Sequence, residues 1–359
     1  MKTTLVLVAS ILAVALATLP TSFDARDKWP KCKTPILNQG RCGSCWAFSA
    51  TTALSSRFCI ESDAKISPDQ VLSPQYLLNC EHDQGGCGGG DTLKAYGFIK
   101  SSGIDLLSCT PYTSGESGQT ESSCPAKCKN GSPIKVFHGV DAYSLVKGSI
   151  QETVEAMKTE LVNHGPFSVS FVVYRDFMEF FKKSPKGIYE AKSSAALGGH
   201  AVRLVGYGEE SGKKYWLIAN SWGTEWGDNG YFKIAQGINT ATIESRRVTA
   251  GRPKSNEFQA HSNHVSPVDN VVIDGGFNKV PVDAEILEIA KFSLSDMHNN
   301  GTPVESFFGV EEAFTQVTNG ITYHLKLSVV KPNENGPSSV NVVVNRSPLD
   351  KLSVMSHNL

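Results

Sequence analysis

The sequence predicts an α+β protein of two lobes, followed by a smaller unit in which one helix lies on an antiparallel sheet. Three observations point there. Within residues 18–251 the first half is helical in pattern and the second half carries strands, the order expected of an α+β chain. The stretch from Ser44 to Ile60 is apolar over most of its surface, as buried central helices are. After Gly275-Gly276 there is no cysteine and no tryptophan, and a composition shift across a polar joint marks a domain boundary.

The elements follow in chain order. Lys2 precedes an apolar run from Leu5 to Leu16, too short to span a bilayer as a helix of ~20 residues. Ala15-Leu16-Ala17 fits a small-x-small cleavage site, so residues 1–17 are expected to be a signal peptide removed after Ala17. The central helix has Trp46, Phe48, Ala50, Ala53 and Leu54 on its broad apolar face. The runs beginning at Phe167, His200, Lys214 and Gly230 are short, β-branched or aromatic, and punctuated by Gly, which predicts strands. Residues 252–272 are polar, contain Pro253 and Pro267, and predict an extended linker. Residues 273–359 form the last unit. There Ile286, Ala290, Leu294 and Met297 make one stripe of a helix from Val282 to Asn299. Ile321, Tyr323, Leu325, Leu327 and Val329 alternate with polar residues, which predicts a half-buried strand, and Val340 to Val344 predicts another.

The formal net charge of -1 favours neither nucleic acid nor an anionic membrane as partner. The secretory start implies an oxidising compartment, hence secretion or a lysosomal or vacuolar destination. The nine cysteines all lie in the first 130 residues, and an odd count leaves at least one thiol free if the others pair internally. Zinc is the competing use, but Cys42-Gly-Ser-Cys45 and Cys124-Pro-Ala-Lys-Cys128 lack His partners at finger-like spacing. Neither a metal nor a cofactor is expected.

The chemistry concentrates in Gln39-Gly-Arg-Cys42-Gly-Ser-Cys45-Trp-Ala-Phe. Cys45 sits where a Gly-rich turn meets the buried helix, and first-turn amides and the helix dipole stabilise a thiolate there. Among nine histidines His200 stands out, opening a β run after two glycines. Asn220 follows in Tyr215-Trp-Leu-Ile-Ala-Asn-Ser-Trp-Gly, and an Asn that accepts the imidazole N–H fixes the ring of a Cys-His pair. Trp222 would cover that bond from water. Gln39 can offer its side-chain amide to an oxyanion, with the backbone N–H of Cys45 as second donor.

These residues resemble the papain family of cysteine proteases, and within it the cathepsin B branch. The likeness covers residues 19–251 and includes Leu19-Pro-Thr-Ser-Phe-Asp-Ala-Arg, Gly198-Gly-His-Ala-Val-Arg and Trp226-Gly-Asp-Asn-Gly-Tyr-Phe. It implies the two-lobed papain fold, with a cleft between the helical lobe of Cys45 and the barrel-like lobe of His200, and peptides or proteins as substrates. It also implies disulfides Cys32–Cys59, Cys42–Cys87, Cys80–Cys124 and Cys109–Cys128, which leave only Cys45 free. Gly89 and Gly90 would present backbone to the substrate backbone. The loop between Cys109 and Cys124 lacks the paired histidines that give cathepsin B its carboxydipeptidase activity, so endopeptidase action is expected. Arg246 stands where cathepsin B has an acidic residue at the base of its S2 pocket, which would disfavour a basic side chain at P2, the residue two before the scissile bond.

No pro-segment is expected between Ala17 and the mature-like start, so either something else restrains the enzyme or nothing does. Gly275-Gly276-Phe277 and Gln316-Val317-Thr318-Asn319-Gly320 resemble the cystatin family of papain-protease inhibitors. In that family a Gly, a first hairpin and a second Pro-Trp hairpin form an apolar wedge, and here Pro348-Leu349 lacks the indole. The resemblance implies an intramolecular inhibitor, held at the mM effective concentration typical of a tether. A spacer, a dimerisation module and a trans inhibitor stay open for this unit. So does a chain whose protease part is weak or inert and which acts as a cysteine protease inhibitor.

Overall fold

The computed structural model describes residues 19–65, 70–121, 123–254, 273–300, 302, 304, 306–332 and 336–358. The expected signal peptide and residues 255–272 of the expected linker lie outside the described residues. The helices are α1 (Ala25–Lys28), α2 (Cys45–Glu61), α3 (Pro74–Cys80), α4 (Thr92–Ser102), α5 (Ser114–Ser117), α6 (Ile150–His164), α7 (Arg175–Lys183) and α8 (Ala284–Asn299). The strands of the first sheet are β1 (Phe23–Asp24), β2 (Gly139–Ser144), β3 (Phe167–Tyr174), β4 (Ile188–Tyr189), β5 (Ala196–Glu210), β6 (Lys213–Ala219), β7 (Tyr231–Ala235) and β8 (Arg247–Pro253). A second sheet holds β9 (Phe277–Lys279), β10 (Ser306–Thr318), β11 (Gly320–Val330), β12 (Ser338–Arg346) and β13 (Leu352–Asn358).

The helical lobe is built on α2, whose residues from Cys45 to Cys59 are all buried. Its core contains Trp46, Leu54, Leu77 and Tyr96. The sheet lobe runs in the order β2-β8-β3-β5-β6-β7-β4, with β1 added to β5. Its core is rich in aromatic rings, including Phe171, Phe177, Trp226 and Phe232. β8 extends through Pro253, so Arg252 and Pro253, expected in the linker, are strand residues paired with Asp141 and Gly139.

Buried polar side chains join the two lobes. Arg57 meets Glu160 at 2.8 Å and donates to the carbonyls of Pro166, Gly251 and Gly165 at 2.6, 3.0 and 3.1 Å. Ser49 on α2 donates to the Val202 carbonyl on β5 at 2.8 Å, and Arg203 on β5 reaches back to the Thr52 carbonyl at 3.3 Å. The helix that begins at Cys45 is therefore locked to the strand that carries His200. Four disulfides, Cys32–Cys59, Cys42–Cys87, Cys80–Cys124 and Cys109–Cys128, brace the helical lobe, and Cys45 is the free cysteine. A native disulfide contributes about 2–4 kcal/mol.

In the last unit α8 packs on an antiparallel sheet ordered β13-β12-β11-β10-β9. Asp283 caps α8 through the Ile286 N–H at 3.1 Å, which starts the helix just after Val282. β11 shows the expected alternation along its C-terminal part. The long strand β10 was not legible in the sequence. Register shifts between Phe307 and Gly309 and between Val310 and Glu312 break the two-residue period there. The unit docks on the sheet lobe: Thr315 donates to the Leu197 carbonyl at 2.7 Å, and Asn278 to the Ala196 carbonyl at 3.0 Å. Arg175 pairs with Asp283 and Glu285 at 2.8 and 2.7 Å.

Candidate active site

Cys45 is the first residue of α2 and is fully buried. The turn before it is held by Ser44, whose hydroxyl lies 2.8 Å from that of Tyr112, while Tyr112 donates to the Gln39 carbonyl at 2.7 Å. Burial pushes the Cys45 thiol well above its usual range, and the carboxylate of Asp274 adds to that shift. The backbone N–H groups of Ala201 and Trp46 act against it.

His200 is also fully buried. Its Nε2 lies 2.8 Å from Asn220 Oδ1, an atom that also accepts from the Ser221 N–H at 2.8 Å. Since Asn220 Oδ1 can only accept, the proton sits on Nε2 and Nδ1 keeps its lone pair. Nδ1 is buried without a hydrogen-bond partner. Trp222 stacks on the imidazole with centroids 4.9 Å apart, an apolar lid over the His200–Asn220 bond. Burial lowers the His200 pKa to about 4, offset in part by Asn220 and Asp274. Burial thus disfavours the charged form of both Cys45 and His200.

Gln39 is buried beside them. Its Nε2 donates to the Cys42 carbonyl at 3.0 Å, and its Oε1 accepts from the Ser221 hydroxyl at 2.7 Å. The amide is thus fixed from both ends.

The cleft is filled by the chain itself. The Gly90 N–H donates to the Asp274 carbonyl at 3.0 Å, and the Gly275 N–H to the Gly199 carbonyl at 2.9 Å. Residues 273–276 are therefore held as a peptide between Gly89-Gly90 on one wall and Gly198-Gly199 on the other. The fit requires glycine: a Cβ on Gly89 would meet the Gly276 nitrogen at 2.7 Å, and one on Gly275 would meet the Gly43 carbonyl oxygen at 2.2 Å. Gln316 spans the gap, its Nε2 donating to the carbonyls of Cys87 and Gly275 at 2.7 and 2.8 Å. The Asn319 N–H donates to the Gly40 carbonyl at 2.8 Å, and its side-chain amide to Asn38 at 3.0 Å. Val317 is buried, close enough that a Cβ on Gly198 would meet it at 3.1 Å.

Four residues expected in the wedge do not enter the cleft. Thr318 is buried inside its own hairpin, 3.0 Å from the Thr322 hydroxyl. Gly320 makes the hairpin turn, with φ at +95°. Leu349 does not enter the cleft and stays 61% exposed. Its turn presents Asp350 to Lys182 at 2.8 Å instead, and Pro348 lines a cavity that Arg175 and Met178 also line. Arg246 points inward, with Nη2 3.0 Å from Asp274 Oδ1. Asp274, Arg247 and Ser170 were not singled out in the sequence. The available signal was an acidic residue directly before Gly275-Gly276 in a chain with Arg at position 246.

A cysteine at a helix start, a His-Asn pair and a glutamine converging on one cleft between two lobes define a cysteine peptidase. Residues 19–250 match the papain family of cysteine proteases, and the chain belongs to that family. It is 39% identical over 230 residues to "Cathepsin B-like CP2" of Giardia intestinalis, covering 64% of this chain and 73% of that one. It is 35% identical over 262 residues to "Cathepsin B-like cysteine proteinase 4" of Caenorhabditis elegans, covering 66% and 76%. Among solved structures, proCathepsin B S9 from Trypanosoma congolense aligns with a TM-score of 0.60 at 34% identity, over 67% of this chain and 80% of that one. The chain is thus a papain-like, cathepsin B-like cysteine peptidase. Among the described residues no helix is long and apolar enough to cross a membrane.

Proposed function

We propose that this chain is a cysteine endopeptidase whose cleft is closed in cis by its own C-terminal unit, read as cystatin-like. In the open enzyme Cys45 gives its proton to His200 Nδ1, and the thiolate attacks the carbonyl carbon of the scissile bond. Gln39 and the Cys45 N–H stabilise the oxyanion, a role in which one donor is worth about 3–4 kcal/mol. The imidazolium, held by Asn220 under Trp222, protonates the leaving amine and the thioester forms. His200 then takes a proton from water, which hydrolyses the thioester, releases the acid and restores the thiol. Gly89 and Gly90 hold the substrate backbone.

The observation that carries the restraint is the pair of backbone hydrogen bonds from Gly90 to Asp274 and from Gly275 to Gly199. They seat residues 273–276 in the cleft as a substrate would lie. Gly276, Gln316, Val317 and Asn319 serve as the wedge. Pro348 and Leu349 contribute little to it, since Leu349 faces solvent and aromatic anchors dominate contacts of this kind. Burial disfavours the charged form of both Cys45 and His200 in the closed form, so uncovering the cleft is what lets the thiolate–imidazolium pair form.

The test compares hydrolysis of a fluorogenic peptide by the full chain and by a chain ending at Lys254, which keeps β8 whole, at pH 5–6. Truncation is expected to raise kcat/KM at least tenfold. Equal activity would overturn restraint in cis. No hydrolysis by either, with Cys45 resisting a thiol-directed epoxide in both, would overturn the active peptidase and favour a pure inhibitor.

A further inference from the structure

We infer that the pocket between Gly90 and Gly199 selects an acidic side chain at the substrate residue two before the scissile bond, and that Asp274 is an internal mimic of that residue. This rests on the reading of the chain as an active peptidase. The pocket is built around a carboxylate. Asp274 is fully buried in it, accepting a hydrogen bond from the Ser170 hydroxyl at 2.6 Å on Oδ2. Arg246 Nη2 lies 3.0 Å from Oδ1 and Arg247 Nη1 lies 3.5 Å from Oδ2, each arginine being 11% exposed. Arg246 is held from behind by the Phe171 carbonyl at 3.3 Å, and Arg247 by Asp91 at 2.8 Å.

Charge bookkeeping gives the specificity. With Asp274 withdrawn, Arg246 loses its carboxylate partner and Arg247 keeps Asp91. An incoming Asp or Glu side chain restores the balance, whereas Lys or Arg adds a third cation beside the two guanidinium groups. The Arg246–Asp274 pair is close without hydrogen-bond alignment, so proximity of charge rather than one directed bond holds it. Shape agrees with charge. A Cβ on Gly199 would lie 2.7 Å from Arg246 Nη1 and 2.8 Å from Asp274 Oδ1, so a glycine there admits the guanidinium and its carboxylate together. The backbone of Asp274 is bridged to Gly90 and to Gly199, which puts its side chain in the pocket by the same extended geometry a bound peptide would adopt.

The test reverses the internal charge in the full-length protein with Asp274→Arg, and uses Asp274→Asn as a milder second variant. Two readouts are taken: the rate of Cys45 alkylation by iodoacetamide, followed by mass, and hydrolysis of coumarin peptides carrying Glu, Asp, Leu or Arg at the position two before the scissile bond. The expected result is alkylation at least 100-fold faster than in the native chain for Asp274→Arg and about tenfold faster for Asp274→Asn. The opened protein should cleave the Glu and Asp peptides at least tenfold better than the Arg peptide, and adding Arg246→Glu should invert that order. Continued protection of Cys45 in Asp274→Arg would overturn the inference, because the pocket would then accept a cation. Alkylation with peptide cleavage but no acidic preference would also overturn it, while leaving the peptidase reading intact. Alkylation with no peptide cleaved at all would overturn the peptidase reading and the inference together.

Discussion

The side-chain amide of Gln316 donates to the carbonyl of Cys87 at 2.7 Å, joining the C-terminal sheet to the residue whose disulfide partner, Cys42, lies three positions before Cys45. The same nitrogen donates to Gly275, so one side chain fastens both the cleft segment and the wall it lies against. Replacing Gln316 by Ala leaves the buried Gly275 carbonyl without its donor, at about 1–3 kcal/mol, while the Cys87 carbonyl keeps the Gly43 N–H at 3.0 Å. The open fraction of Gln316→Ala should rise by about 5- to 150-fold on that figure, read as the rate of Cys45 alkylation. An unchanged rate would show that the closed form does not depend on this contact.

Gly275 has φ at +70°, where a Cβ would strain the backbone and also strike the Gly43 carbonyl. Gly275→Ala should therefore expel the cleft segment and raise peptide hydrolysis at least tenfold, without lowering the melting temperature of the protease lobes. A variant no more active than the native chain would show that the cleft accepts a side chain at position 275.

Gln39→Ala removes a proposed oxyanion donor. In a chain opened by Gly275→Ala, its kcat should fall about 100- to 1000-fold with KM little changed. A loss confined to KM would reassign Gln39 to substrate binding.

Acid should favour opening. The closed form holds His200 neutral, with a pKa lowered to about 4 by burial, whereas an exposed imidazole titrates near 6.5. The open form thus binds more protons between these values. The closed form's advantage is complete above about pH 6.5 and declines as pH falls toward about 4. The Asp274 carboxylate and the Asn220 hydrogen bond face the ring and moderate the effect. Amide exchange at residues 273–279, measured in a Cys45→Ala chain so that the thiol does not contribute, should accelerate across that window. A flat profile would mean that His200 stays buried in the open form.

Arg57 and Glu160 form a buried pair that ties α2 to α6. Arg57→Ala leaves the buried Glu160 carboxylate with the Tyr143 hydroxyl but no cation and removes a donor from the carbonyls of Gly165, Pro166 and Gly251, so unfolding in urea should show a loss of about 3–5 kcal/mol. A loss under 1 kcal/mol would mean that water or Arg252 replaces the guanidinium.

The sequence by itself determined the class of chemistry. Cys45 at the start of an apolar helix, His200 after two glycines in a β run (which the structure extends back to Ala196) and Asn220 before Trp222 are local patterns, and short-range constraints on backbone and residue type write them directly into the chain. The same holds for the alternation along β11 and for the apolar stripe of α8. Tertiary structure alone decided what fills the cleft. Asp274 is one acidic residue in a polar stretch until β9 pairs with β10 and draws it between Gly90 and Gly199, where Ser170, Arg246 and Arg247 arrive from β3, from the turn before β8 and from β8 itself. Charge partners that far apart in sequence leave no periodicity to read. For the same reason Leu349 could be aligned with a wedge but not placed in one: its turn lies outside the cleft, where Asp350 meets Lys182, two residues brought together only by the docking of one unit on the other.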